Sequence, residues 1–132
     1  MNKAVEFLKT CQTFYIATAE GDQPRVRAFG AVAEINGKVC LATNNTKAVY
    51  RQMTENPKIE ICGVAPDGKW IRITGKAVAD DSRDVKAKML EINPMLKTMY
   101  SLDDGIFAVV YLTDAAAKIE SFAGEADSFS ID

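Results

Sequence analysis

Apolar residues along this chain keep changing their spacing, and each change marks an element. Val5, Phe7 and Leu8 gather on one side of a helix across residues 2–10, with Glu6 and Lys9 turned to solvent. Residues 14–19 bring aromatic and β-branched side chains together and read as a strand. After the turn EGDQP, residues 25–35 alternate as one strand. Val26, Ala28, Gly30 and Val32 fall on one side, and Arg25, Arg27, Phe29 and Ala31 on the other. Asn36-Gly37 tolerates the positive φ of a tight hairpin, so 38–43 is the return strand.

The period then switches. Val49 and Met53, joined by Tyr50 and Gln52, fit a helix within 44–55, capped by Asn45 or Thr46 and ended by Asn56-Pro57. Strands follow at 59–64 and 69–79. A helix at 83–92 starts behind Asp80-Asp81-Ser82, and 94–100 adds a short helical turn. Two last strands are expected at 106–112 and 117–122. Residues 124–132 are polar and acidic and read as a loose tail, leaving 1–123 as the domain. Seven strand segments, mostly hairpin-linked, predict a mainly β protein: a small antiparallel barrel with helices packed outside.

Composition narrows the chemistry. A length of 132 residues suits one domain, and 48% hydrophobic with 26% charged residues suits a packed core. The longest apolar run, 106–112, is too short to span a bilayer, so no membrane partner is expected. A net charge of −2 gives no basic excess for nucleic acid. Residues 1–66 carry 8 basic and 6 acidic groups and the rest 8 and 12, which directs any anion site to the first half. There is no histidine, which removes His-based triads and His-ligated metal sites. The three cysteines form no paired spacing, and with no export segment a cytoplasmic location is expected. Neither GxGxxG nor GxxxxGK[ST] occurs.

Two clusters carry candidate chemistry. In Pro24–Gly30, Arg25 and Arg27 leave the same face of a strand, and arginine offers phosphate a fixed fork of donors. Ala28 and Gly30 are small and leave room for a flat group. A solvated edge strand with two surface charges has the same pattern. In Thr43-Asn44-Asn45-Thr46-Lys47 a strand becomes a helix, where free amides form an anion seat that Lys47 supplements; an ordinary cap beside a surface lysine reads alike. A two-residue turn at Asn36-Gly37 would set Arg27 opposite Asn45 or Thr46. Arg27 and Lys47 would then reach one phosphate. In Lys69–Lys76, Trp70 is suited to a ring-binding or subunit contact. The Asp pairs at 80–81 and 103–104 read as caps and turns.

The ordered set PRVRAFG, NGKVCLATNNTKAVYRQMTENPKIEICG and GKWIRITGKA resembles the pyridoxamine 5'-phosphate oxidase-like FMN-binding split-barrel family, in its short single-domain bacterial form, over about residues 5–123. The resemblance implies a six-stranded antiparallel split barrel of Greek-key type with outer helices, one of the seven segments merging with a neighbour. It implies a homodimer with FMN at the subunit interface. Arg27 and Lys47 match the phosphate-holding residues, with Arg25 as helper. Thr43, Asn44 and Thr46 match positions around the phosphate and ribityl chain. Arg27, Ala28, Phe29 and Gly30 match the strand along the ring edge. Trp70 and Arg72 would approach from the partner subunit or the neighbouring strand. The implied function is an FMN-dependent oxidoreductase acting on a small-molecule redox substrate by hydride or electron transfer. The alternative is a flavin-binding or electron-carrying protein without its own substrate. Catalytic side chains are not identified. The C-terminal arginine and histidine segment of the full oxidases has no match, so useful oxidation of pyridoxamine phosphate is not expected.

Overall fold

The computed structural model describes residues 2–124 and 126–131. Its elements are α1 (Lys3–Cys11), β1 (Phe14–Glu20), β2 (Gln23–Phe29), β3 (Val32–Ile35), β4 (Lys38–Asn44), α2 (Ala48–Glu55), β5 (Lys58–Val64), β6 (Trp70–Asp80), α3 (Arg83–Ile92), a 3-10 turn (Pro94–Thr98), β7 (Phe107–Glu120) and β8 (Ala126–Ser130). All the ladders are antiparallel, in the order β2-β1-β5-β6-β7-β4-β3, with β8 also on β7.

That order closes the barrel. β2 and β3 stand at opposite ends of the path, yet only Gly30 and Ala31 separate them. Six strand spacings in a flat sheet would put the two ends roughly 29 Å apart. Three Cα steps cover at most about 11 Å. The sheet therefore curls until its ends meet at Gly30-Ala31. The split lies along β7, which pairs with β4 through Phe107–Tyr111 and with β8 through Ala116–Glu120.

One apolar cluster fills the barrel, with Phe14, Ile16, Leu41, Ile61, Ile71, Ile73 and Leu112 at its centre. α1 adds Val5 and Leu8 to it, and α2 adds Val49 and Met53. A second cluster joins Val85, Met89 and Leu90 of α3 and Leu96 of the 3-10 turn to the other face of β3, β4 and β7. The outward face of β2, β1, β5 and the first half of β6 carries no helix. It exposes Tyr15, Val26 and Val64, with Trp70 and Arg72 further across.

The expected antiparallel barrel with outer helices forms, and three expectations need correction. The single strand at 25–35 is two strands. β2 pairs with β1 and β3 with β4, so Arg27 lies opposite Ile16, not opposite Asn45 or Thr46. The Asn36-Gly37 turn does form, with Ile35 facing Lys38 and both turn residues at positive φ. The strands expected at 106–112 and 117–122 are one, β7. Asp114 takes φ 49° and the β6 ladder shifts between Thr74 and Lys76, so a bulge bends the strand instead of ending it. Lastly, the expected loose tail contains β8. Phe129 packs on the core, and Lys3 pairs with Asp127 and lies 4.9 Å from the Phe129 ring centre. Among the described residues the sheet has eight strands, where the resemblance implied six.

Candidate functional site

A cleft of about 250 Å³ opens where the β2–β3 corner, β4, the start of α2 and the 3-10 turn converge. Ala28, Phe29, Gly30 and Ala31 line one side, and Met95, Leu96, Met99 and Tyr100 another, with Ala42 and Lys47. Phe29 also reaches the core, its ring 6.3 Å from that of Phe14. A Cβ built on Gly30 would have only Gln12 O near it, at 3.7 Å. The protein's own packing therefore does not demand a glycine there, and the space is left to something else.

Arg27 stands just before this wall. Its Nη1 donates to Ile16 O at 3.2 Å and Thr18 Oγ1 at 2.7 Å, and its Nη2 donates to Gln52 Oε1 at 2.5 Å. Thr18 Oγ1 in turn donates to the same Gln52 oxygen at 2.5 Å. All of these acceptors are neutral. Burial lowers the guanidinium's pKa, and the Arg25 charge lowers it further. Among the described residues this half-buried cation is held by neutral oxygens alone, which leaves its charge uncompensated and some of its five N–H groups unused. That environment attracts an anion. Gln52 belongs to α2, so the same bond ties Arg27 to the helix that Lys47 precedes.

The turn into α2 is organised by Asn44. Its Oδ1 accepts from Thr46 N at 3.0 Å and from Thr46 Oγ1 at 2.5 Å, while its Nδ2 donates to Tyr100 Oη at 2.8 Å. Lys47 is the N-cap residue of α2 and supplies no side-chain cap bond. Tyr50 N already bonds to Lys47 O at 3.1 Å, so among the described residues it is the first two amides, of Ala48 and Val49, that are left to an outside acceptor beside an exposed ammonium.

The structure sorts the candidates. Ala28, Phe29, Gly30 and Lys47 line the cleft, Asn44 and Thr46 join it through Asn44's bond to Tyr100, and Arg27 precedes Ala28 in β2 with its side chain bonded to Ile16, Thr18 and Gln52, none of which lines the cleft. Thr43 shares its side of β4 with Val39 and Leu41 and faces the barrel interior. It is 2% exposed and its Oγ1 has no hydrogen-bond partner among the described residues. Arg25 is engaged elsewhere: its Nη2 lies 3.0 Å from Glu20 Oε1, and Arg51 holds the other oxygen of that carboxylate. The two arginines together hold the Glu20 carboxyl below its ordinary pKa. Trp70 and Arg72 lie on β6, beyond β1 and β5 from β2, so they do not approach the cleft from a neighbouring strand. Arg72 pairs with Glu120 at 3.1 Å, and Trp70 packs on the exposed Phe122 with ring centres 4.8 Å apart.

Sequence reasoning missed Thr18, Gln52, Met95, Met99 and Tyr100. Gln52 gave one signal, a polar residue on the same helical side as Val49 and Met53. The segment 94–100 was legible as a helical turn but gave no sign of which surface it would face.

A larger, shallow groove of about 460 Å³ crosses the outer side of β1, β5 and β6. It is a surface of one sheet, without the convergence of elements found at the cleft.

A sequence profile described as pyridoxamine 5'-phosphate oxidase matches residues 1–119. No curated protein matches the chain. Among solved structures, a NimC/NimA family protein from Clostridium acetobutylicum is 55% identical with a TM-score of 0.93, covering 98% of this chain and 93% of that one. A protein related to general stress protein 26, from the same organism and ascribed to the pyridoxinephosphate oxidase family, is 16% identical with a TM-score of 0.76. The match covers 98% of this chain and 93% of that one. A heme binding protein from Mycobacterium smegmatis is 18% identical with a TM-score of 0.76, over 98% of this chain and 58% of that one. The last two likenesses establish the fold alone.

Proposed function

Because the chain belongs to the pyridoxamine 5'-phosphate oxidase family, we propose that it binds FMN in the cleft and acts as an FMN-dependent oxidoreductase on a small molecule. The observation that carries this reading is the Arg27 guanidinium, half-buried, bonded among the described residues to neutral oxygens alone, and tied through Gln52 to the helix whose start Lys47 precedes. A phosphate monoester supplies the missing negative charge. Arg27 gives it a donor fork, Lys47 a second cation, and the first α2 amides a dipole end. The small residues Ala28 and Gly30 in the cleft wall suit a planar ring lying against the backbone of Ala28–Gly30.

When bound, the flavin supplies hydride and electron transfer. The chain's own residues bind and orient. Gln52 and Thr18 fix the Arg27 fork, Asn44 fixes the turn that carries Lys47, and the apolar wall of Met95, Leu96 and Met99 excludes water. Hydride transfer needs no protein acid or base, which is compatible with a histidine-free chain.

The reading includes a homodimer. A cleft of about 250 Å³ is below the usual volume of roughly 300–1,000 Å³ for a ligand site. A second copy, bringing Trp70 and Arg72 from its helix-free sheet face, would complete it. No helix of the described residues is long and apolar enough to cross a membrane. A cytoplasmic location is part of the proposal.

Fluorescence quenching by the apo protein tests the cofactor. FMN should bind more tightly than riboflavin or FAD, and absence of quenching by FMN overturns the reading. Anaerobic addition of NADH or NADPH then separates an enzyme from a carrier. Bleaching much faster than that of free FMN supports the enzyme, and no acceleration with either donor favours the carrier.

A further inference from the structure

Tyr100 holds a hydrogen-bond donor that nothing in the described structure uses. Its phenol oxygen accepts from Asn44 Nδ2 at 2.8 Å, which occupies an acceptor position and leaves the O–H proton to point elsewhere. The direction of that bond is fixed independently, because Asn44 Oδ1 already accepts from Thr46 N and Thr46 Oγ1. Asn44 therefore presents its amide NH₂ to Tyr100. The Tyr100 ring cannot readily swing away, since it stacks on Phe107 with centres 5.1 Å apart and planes 27° from parallel. Tyr100 also lines the cleft, where the other lining side chains besides Lys47 are apolar or absent. A fixed donor on an otherwise apolar wall sets the orientation of whatever enters.

We propose that Tyr100 donates a hydrogen bond to a ring carbonyl of the molecule bound in the cleft and so fixes that ring's orientation. This rests on the cleft being the flavin site. The carbonyl belongs either to the flavin ring or to a carbonyl-bearing acceptor such as a quinone. The chemistry is the same in both cases: a neutral O–H donor meeting a conjugated carbonyl oxygen. Tyr100 acts as a positioning residue. Through Asn44 and Thr46 it is also linked to the turn that carries Lys47, so ring and phosphate ends of the site share one network.

The test compares wild type with Tyr100→Phe, which keeps the ring stack and removes the donor. FMN and riboflavin are titrated by fluorescence quenching, and the visible absorption and circular dichroism of bound FMN are recorded. If the flavin supplies the carbonyl, both ligands should weaken by the same factor, roughly five- to tenfold for one neutral hydrogen bond, with a shifted visible band. If the acceptor supplies it, flavin affinity and spectrum stay put while KM for 1,4-benzoquinone rises and kcat is held. Thermal melting controls for the unpartnered Asn44 amide. As a measure that needs no variant, the ¹³Cζ resonance of Tyr100, one of four tyrosines, should move when FMN or benzoquinone is added to wild type. Unchanged flavin affinity, spectrum, KM and Tyr100 resonance, in a wild type that binds FMN, overturns the role of Tyr100 alone. A wild type that binds no flavin overturns the site reading together with it.

Discussion

Arg27 and Gln52, 25 positions apart, meet through a 2.5 Å hydrogen bond from Nη2 to Oε1. The contact joins the strand that ends at the cleft to the helix that begins there. It holds a cation in place with a neutral partner, so the charge is positioned without being spent.

Arg27→Ala should therefore weaken FMN by roughly 10- to 100-fold, because charge-assisted bonds to phosphate contribute about 1.5–3 kcal/mol. Riboflavin, which lacks the phosphate, should change little. Paired titrations of the two ligands check this, and equal losses would place Arg27 outside the phosphate site. The fold should survive, since Thr18 and Gln52 still bond each other.

Pyridoxamine phosphate should not be oxidised at a useful rate. Among the described residues Lys47 is the one cation lining the cleft, and with Arg27 it is assigned to the cofactor's phosphate. A second phosphate would find no donor fork of its own. Incubation of FMN-loaded protein in air with measurement of pyridoxal phosphate and hydrogen peroxide decides it; many turnovers at micromolar KM would overturn the assignment.

The chain should sediment at about twice 14.4 kDa at micromolar concentration. Tyr15, Val26 and Val64 are 46%, 68% and 53% exposed on a sheet face that no helix covers, a large apolar area for a lone subunit. Trp70 is the single tryptophan, so its emission should shift to the red on dilution into monomer. A lone 14.4 kDa species carrying FMN would reject the dimer.

Two glycines should behave oppositely. At Gly63 an added Cβ would lie 2.9 Å from Cys11 Sγ, 3.2 Å from Phe14 Cβ and 3.3 Å from Leu8 Cδ2, where α1 plugs the barrel. Gly63→Ala should cost about 1–3 kcal/mol in denaturant unfolding, and Cys11→Ala in the same chain should restore part of it. At Gly30 an added Cβ would meet only Gln12 O at 3.7 Å, an ordinary contact, so Gly30→Ala should leave the melting temperature nearly unchanged and weaken flavin binding.

Cys40 should be the slowest of the three free thiols to react with a disulfide reagent at pH 8. Burial pushes its pKa from 9.0 up to about 11, with the nearby Asp80 charge adding to the rise. The unfolded thiol ionises first. The contribution to stability is thus full below pH 9 and is lost as pH rises toward 11. Cys40→Ala should flatten the alkaline loss of stability between these values.

What the sequence determined by itself were the features that depend on neighbours in the chain. The Asn36-Gly37 hairpin, the cap at Ser82 and the helical sides bearing Val49 and Met53 need only local dihedral preferences and period, whereas the N-cap of α2 is Lys47 and not the expected Asn45 or Thr46. Of the residues that the family's motif order singled out, Ala28, Phe29, Gly30 and Lys47 line one cleft, and Arg27 precedes Ala28 in the same strand. Tertiary structure decided the rest. Residues 25–35 alternate without interruption, yet closure of the barrel requires the chain to leave β1 and join β4, so the strand breaks at Gly30-Ala31. Residues 124–132 look like a tail because their polarity suits solvent; β8 forms because the far half of β7 offers an open edge and α1 brings Lys3 to Asp127. Gln52 under Arg27, and Tyr100 beside Asn44, are contacts between elements far apart in sequence. Local periodicity records which side of an element is apolar, whereas the identity of the partner across a cleft is fixed only when packing brings the elements together.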